Sequence, residues 1–156
     1  MFYYTSDNHS DLIARTMEIT DNVIPSSNSE MAKDLFLLGN YFNNESYIQK
    51  ASQMLKNVQK DLLQNIFSYS NWGLLALHLI KPLYEVAIVG PDWVRIKQNM
   101  DGNYLPDAIF FGGKNEGTLN LLVDKLVSGQ TTIYVCVDKT CKIPVTESED
   151  ALQQMK

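Results

Sequence analysis

The chain has 156 residues, of which 45% are apolar and 20% charged. That is enough for one good core or two small ones, and too apolar for a disordered chain. The formal net charge of −5, with Lys and Arg scattered rather than clustered, disfavours a nucleic-acid groove. The longest apolar runs, such as 74–80, fall far short of the roughly 20 residues that span a bilayer. Residues 1–4 carry neither a basic leader nor a small-residue cleavage site, so a cytoplasmic setting is expected.

Residues 1–20 open with Phe2-Tyr3-Tyr4-Thr5, a short strand or an extended aromatic arm. A turn follows over residues 6–10, and Leu12, Ile13, Met17 and Ile19 fit neither period well. The abrupt aromatic start matches either a truncated domain or an ordinary frayed terminus. Residues 21–30, Asp-Asn-Val-Ile-Pro-Ser-Ser-Asn-Ser-Glu, form a polar stretch with one proline. Pro25 biases Ile24 away from helix, and Ser27 with Glu30 has capping-box spacing; Ser26, Asn28 and Ser29 are alternative caps.

A first helix is expected over 28–42, with Met31, Leu35, Leu38 and Phe42 on one face, widened by Ala32, Phe36 and Gly39. A second over 45–66 carries an apolar stripe from Tyr47 to Leu63, so the two should form an antiparallel αα-hairpin. A third, over 72–80, is almost wholly apolar and should be buried, with His78 as a packed structural histidine and Pro82 as its stop.

After Pro82 the pattern turns to strands. Runs at 84–90, 107–113 and 131–137 are separated by a short helix or turn at 92–99 and a weakly patterned segment at 119–127. Residues 147–155 close with an amphipathic helix, capped by Thr146 and Glu149 at capping-box spacing. The expected fold is therefore mixed α+β. Residues 1–82 form a helical part, and residues 83–156 a small, mostly parallel, three-stranded α/β unit.

Several groups invite chemistry. The glycines at 90 and at 112–113 lie at strand ends but match neither dinucleotide nor nucleotide-phosphate fingerprints, so turn geometry is the simpler account. Cys136 and Cys141 are a possible thiol pair. With only His9 and His78 besides, a structural zinc lacks ligands, and no metal or cofactor is expected. Reduced structural thiols are the first expectation for the pair, with a local disulfide or reactive chemistry as alternatives. Asp21 with the nearby hydroxyls and Asn28 could hydrogen-bond a sugar or polyol, although a second placed carboxylate for glycosidic acid–base work is missing. Helix capping is the plain alternative.

Two stretches together carry a resemblance. Residues 21–29 (DNVIPSSNS) are similar to a D-G-x-x-P-S-G-N-S element, and residues 134–146 (YVCVDKTCKIPVT) to a Y-V-C-x-x-x-x-C-x-x-P-x-T element. Both, in this order, resemble the C-terminal portion of thioredoxin-domain proteins related to spermatogenesis-associated protein 20, the bacterial YyaL-like group. Phe2-Tyr3-Tyr4-Thr5-Ser6-Asp7 resembles an aromatic-Thr-x-Asp segment before the same element. The resemblance implies that the helices belong to an incomplete (α/α) six-hairpin barrel, similar to sugar epimerases and glycosidases. It implies that Tyr4, Asp21, Ser26 and Asn28 line a cavity or its mouth. It also implies that the partners of this portion are the N-terminal barrel and thioredoxin-like domains of a longer chain, with self-association in their absence and no activity alone. Asn22 and Ser27 stand where that pattern has glycines, and the Ser27 side chain is expected to narrow the approach to any ligand. The family carries no assigned reaction, so a sugar-directed enzyme, a non-catalytic interaction module and a cysteine-based redox or metal role all stay open.

Overall fold

A computed structural model describes residues 1–8 and 13–156; the expected turn at His9 and Ser10, and Leu12, lie outside the described residues. The chain divides into two compact units, Met1–Ile80 and Lys81–Lys156.

The first unit is helical. Helix α1 is Ser27–Tyr41, α2 is Glu45–Gln64, a 3-10 turn covers Ile66–Tyr69, and α3 is Ser70–Ile80. Ser26, not Ser27, caps α1: its Oγ accepts the Ser29 N–H at 3.1 Å. The expected capping box does not form, because Ser27 is already the first helical residue and Glu30 turns to Lys33 and Asn71. The buried face of α1 is Ala32, Phe36 and Gly39, while Met31, Leu38 and Phe42 are exposed. The reason lies in the crossing with α2. A Cβ at Gly39 would come within 2.5 Å of Ile48 Cγ1 and 3.1 Å of the Asn44 carbonyl, so the hairpin closes through small residues. Helix α2 buries Ala51, Met54, Val58 and Leu62, as its stripe implies. Helix α3 buries only Asn71, Trp72 and Leu75, and does not become the wholly buried helix its composition suggests.

The second unit is a four-stranded open sheet in the order β2-β1-β3-β4, built from β1 (Tyr84–Val89), β2 (Ala108–Gly113), β3 (Thr132–Val137) and β4 (Thr140–Cys141). Helix α4 (Trp93–Asp101) connects β1 to its parallel neighbour β2. Strand β3 then pairs antiparallel with β1, and β4 antiparallel with β3. The sheet thus departs from the mostly parallel, three-stranded expectation. No α-helix lies between β2 and β3, only an irregular segment with a 3-10 turn at Asn120–Leu122, and a parallel return normally needs a crossover helix. The fourth strand has a separate cause. Asp138 and Lys139, at φ 48° and 64°, make a two-residue hairpin turn of the type that prefers Asn-Gly, so its residues give no turn signal.

One face of this sheet carries Val86, Ile88, Ile133 and Val135 against Ile96 and Met100 of α4 and Ala151 of α5 (Ser148–Gln154). Helix α5 starts at Ser148, and the residue before it, Glu147, makes no side-chain cap, so the Thr146 capping box is also absent. The other face carries Glu85, Ala87, Tyr134 and Cys136, which alternate with the core residues along their strands. Among the described residues no helix is long and apolar enough to cross a membrane.

The close crossing at Gly39 and the unstrained contact at Gly73, where an added Cβ would meet Ile66 Cδ1 at an ordinary 3.5 Å, predict opposite effects. Gly39→Ala should destabilise the chain by about 2 kcal/mol through overpacking, despite the better helix propensity of alanine. Gly73→Ala should stabilise it by about 0.5 kcal/mol. Urea unfolding followed through the fully buried Trp72 separates the two.

Candidate functional site

Two clusters of polar or reactive side chains are built by the fold, one in each unit. The first centres on Asp21, which is buried. Its Oδ1 accepts the Ser26 N–H at 3.0 Å and the Ser29 hydroxyl at 2.6 Å, and its Oδ2 accepts the Asn71 N–H at 2.8 Å. These donors sit at the starts of α1 and α3, where backbone N–H groups have no partner within the helix and the dipoles favour negative charge. The Asp21 N–H donates to the Ser68 carbonyl at 2.8 Å. Ser26 Oγ donates to the Ile19 carbonyl at 2.9 Å, and the Trp72 indole N–H donates to the same carbonyl at 2.8 Å. Asn71 Nδ2 donates to Ser29 Oγ and to Glu30 Oε2, both at 3.0 Å, and Asn71 Oδ1 accepts from Lys33 Nζ at 2.9 Å. Burial raises the pKa of the neighbouring Tyr69 phenol, helped by the Asp61 and Asp21 carboxylates.

Asn28 has a different task. Its Oδ1 accepts the Phe2 N–H at 2.7 Å, and its Nδ2 donates to the Phe2 carbonyl and the Glu18 carbonyl, both at 2.9 Å. The side-chain amide thereby pairs with the N-terminal arm as a neighbouring strand would. The arm forms no strand: it bends at Tyr4 and Thr5 and turns at Asp7 and Asn8. Arg15 braces it by donating to the Thr5 carbonyl at 2.8 Å, pairing with Asp7 at 2.6 Å and covering the Tyr3 ring at 4.1 Å.

Of the four residues expected to line a cavity, Asp21 borders a groove. That groove, about 300 Å³, is formed with Asn22, Val23, Pro25, Ser70, Asn71 and Leu74. Ser26 and Asn28 are buried in backbone contacts away from it, and Tyr4 is 68% exposed. Asn22 and Ser27, where the resembling pattern has glycines, do not adopt positive φ, so neither position demands glycine. His78 stacks on Phe36, with ring centroids 6.0 Å apart.

The second cluster lies on the sheet. Cys136 and Cys141 face each other across β3 and β4 and are joined by a disulfide, in place of the reduced thiols first expected. The flanking pair Val135 and Lys142 is hydrogen-bonded through the Lys142 N–H at 2.9 Å, which makes the cysteines a non-hydrogen-bonded pair, the kind whose side chains lie closest. Cys136 is fully buried and Cys141 half-buried on the edge strand. Lys125 Nζ stands 3.6 Å from Cys141 Sγ and 4.7 Å from the centre of the Tyr134 ring.

On the other side of Cys136, directly opposite in the register, is Glu85, which is only 4% exposed. Its Oε2 accepts the Lys139 N–H at 3.0 Å and so holds the hairpin turn. Burial pushes the Glu85 carboxyl above the usual carboxylate range. The Lys139 N–H and charge oppose that shift, and Asp138 adds to it. Glu85 carried no sequence signal beyond a charge at an apolar position of a strand. The strand-end glycines have packing tasks: a Cβ at Gly90 would meet the Gln130 carbonyl at 2.5 Å, and one at Gly112 the Trp93 ring at 2.6 Å. Among the described residues no group of three or more His, Cys, Asp or Glu is placed to hold a metal ion.

Compared with known proteins, the chain matches no family model, no curated protein and no solved structure.

Two outcomes follow from these clusters. Asp21→Ala strands two backbone donors and the Ser29 hydroxyl, and should cost about 3 kcal/mol in urea unfolding. Asp21→Asn should recover little of this, because an amide accepts at only one of the two positions where the carboxylate accepts. Glu85 behaves in the opposite sense. Its carboxyl holds a proton more tightly in the folded chain, so its favourable contribution is complete below the ordinary value of 4.5 and is lost as pH rises through the raised value. Glu85→Gln should therefore melt higher than the parent at pH 7, with the gap closing as pH falls below 4.5.

Proposed function

We propose that the helical unit is a non-catalytic docking module that seats its outer apolar face on apolar helices of a larger (α/α) assembly. The observation that carries this reading is α3. It is apolar nearly all round, and such a helix belongs in an interior. Yet Leu74, Leu77 and Ile80, three residues apart, are 50%, 61% and 79% exposed. Ile66, also exposed, reaches the flank of α3 at Gly73, and Leu63 and Phe67 extend the patch along the chain before it. On α1, Met31, Leu38 and Phe42 add exposed apolar surface. Exposed apolar side chains in this number on one short helix and its neighbours support an interaction site.

The occupant follows from the resemblance to the YyaL-like group: the remaining barrel helices and the thioredoxin-like domain of a longer, cytoplasmic chain. Helix against helix is the natural partner for a stripe repeating every three residues. The polar residues at 21–30 support a structural task over a sugar-binding one. Asp21, Ser26, Asn28 and Ser29 spend their donors and acceptors on the chain itself. On this reading the chain has no sugar-directed activity by itself.

The isolated chain should bind the dye ANS and associate reversibly in sedimentation equilibrium. The double variant Leu74→Glu/Leu77→Glu should lose both properties while keeping the helical circular dichroism. A parent chain that is monomeric and does not bind the dye would overturn the reading.

A further inference from the structure

We propose that Cys136 and Cys141, with Lys125 and Glu85, form a thiol–disulfide exchange site that reduces accessible disulfides. The two sulfurs are unequal. Cys141 is half-buried on the edge strand with the Lys125 ammonium 3.6 Å from its sulfur, whereas Cys136 is sealed inside. A neighbouring cation stabilises a thiolate, so Cys141 is the attacking sulfur once the pair is reduced.

Lys125 is not a wandering surface lysine. Its carbonyl accepts the Tyr134 hydroxyl at 3.0 Å. The loop that carries it is held by Glu116, whose Oε1 accepts the Leu126 N–H at 2.7 Å. That contact, with smaller ones from the Asp124 and Lys125 amides, keeps the Glu116 carboxyl below the usual range despite some desolvation. On the other side of the pair, the buried Glu85 stands opposite Cys136 in the register and supplies a carboxylate to take the proton of the buried thiol. Asp138 and Lys139 of the turn act on Glu85, with Lys139 donating its N–H to it; Asp124 and Lys142 are the charged chain neighbours of Lys125 and Cys141.

The steps balance. In the reduced protein the Cys141 thiolate attacks one sulfur of a substrate disulfide. The substrate S–S bond breaks, one substrate thiolate leaves and is protonated by water, and a mixed disulfide remains on Cys141. Cys136 passes its proton to Glu85, and its thiolate attacks Cys141 Sγ. The second substrate thiolate leaves and is protonated. The protein ends with the Cys136–Cys141 disulfide seen here, two electrons having passed to the substrate. A dithiol reductant returns the pair to its starting state.

The test uses the full 156-residue chain reduced with dithiothreitol, then pulsed with iodoacetamide across pH and read by mass spectrometry. Cys141 should alkylate about 10-fold faster than Cys136 at pH 7, with a midpoint below the free-thiol value of about 8.5. Lys125→Met should move that midpoint up to the free value. Cys136→Ser should trap a mixed disulfide on Cys141 with either oxidised glutathione or a cyclic peptide disulfide, and the faster of the two identifies the substrate class. Cys141→Ser should trap none. Glu85→Gln should slow the release of bound glutathione about 10-fold and flatten its pH dependence. Equal reactivity of both thiols at the free value overturns the proposal. So does faster reaction at Cys136, or a pair that dithiothreitol reduces only when circular dichroism shows unfolding; these readings need no Glu85 variant.

Discussion

A single buried carboxylate organises the helical unit. Asp21 accepts from the starts of α1 and α3, two helices whose first residues are separated by an entire hairpin in the chain. Each helix start presents N–H groups with no internal partner, and one anion between them answers both. The consequences spread outward. Ser26 caps α1 because Asp21 fixes its backbone, Asn71 is drawn inside because its N–H reaches Asp21, and Trp72 is placed to donate to Ile19. The segment at 21–30 is therefore a structural joint made of the residue types that elsewhere bind ligands.

The sheet unit solves a different problem. Its hairpin turn uses Asp138 and Lys139 in the left-handed region, which costs a side-chain-bearing residue roughly 1–2 kcal/mol. Two devices offset that cost: the Glu85 carboxyl accepting from Lys139, and the disulfide one pair further along. The same devices give the corner its chemistry, since a buried carboxyl, an inner sulfur, an outer sulfur and an ammonium lie in one row across the sheet and its covering loop.

Much of this was legible in the residues and some was not. Element positions along the chain follow from periodicity, because α2 and β1 to β3 have strong apolar patterns. The buried face of α1 does not follow in full, because Met31, Leu38 and Phe42 are exposed while Ala32 and Gly39 are buried beside Phe36, and Gly39 sits against Ile48 of α2; hydrophobicity counts size, whereas a close helix crossing selects smallness. The edge strand β4 is too short for a pattern and its turn lacks glycine. Capping by Ser26 in place of Ser27 is a shift of one residue that depends on Asp21, a tertiary partner. The polar residues at 21–30 were visible as a group, but only their geometry distinguishes a network closed on itself from one open to a ligand. Glu85 and Lys125 drew no attention because their meaning lies in neighbours from other strands and loops.

The short hairpin also bears on how the chain behaves at high concentration. Residues 131–137, Thr-Thr-Ile-Tyr-Val-Cys-Val, have high strand propensity, no charge and no proline, the composition that stacks into cross-β fibrils. Without β4, the strand Thr132–Val137 would be the edge of the sheet, with its hydrogen-bonding groups offered to any passing chain. The two residues of β4, the bridge from Val145 to Ile133 and the covalent tie at Cys141 cover that edge. Covered in this way, the strand offers no open edge for edge-to-edge polymerisation.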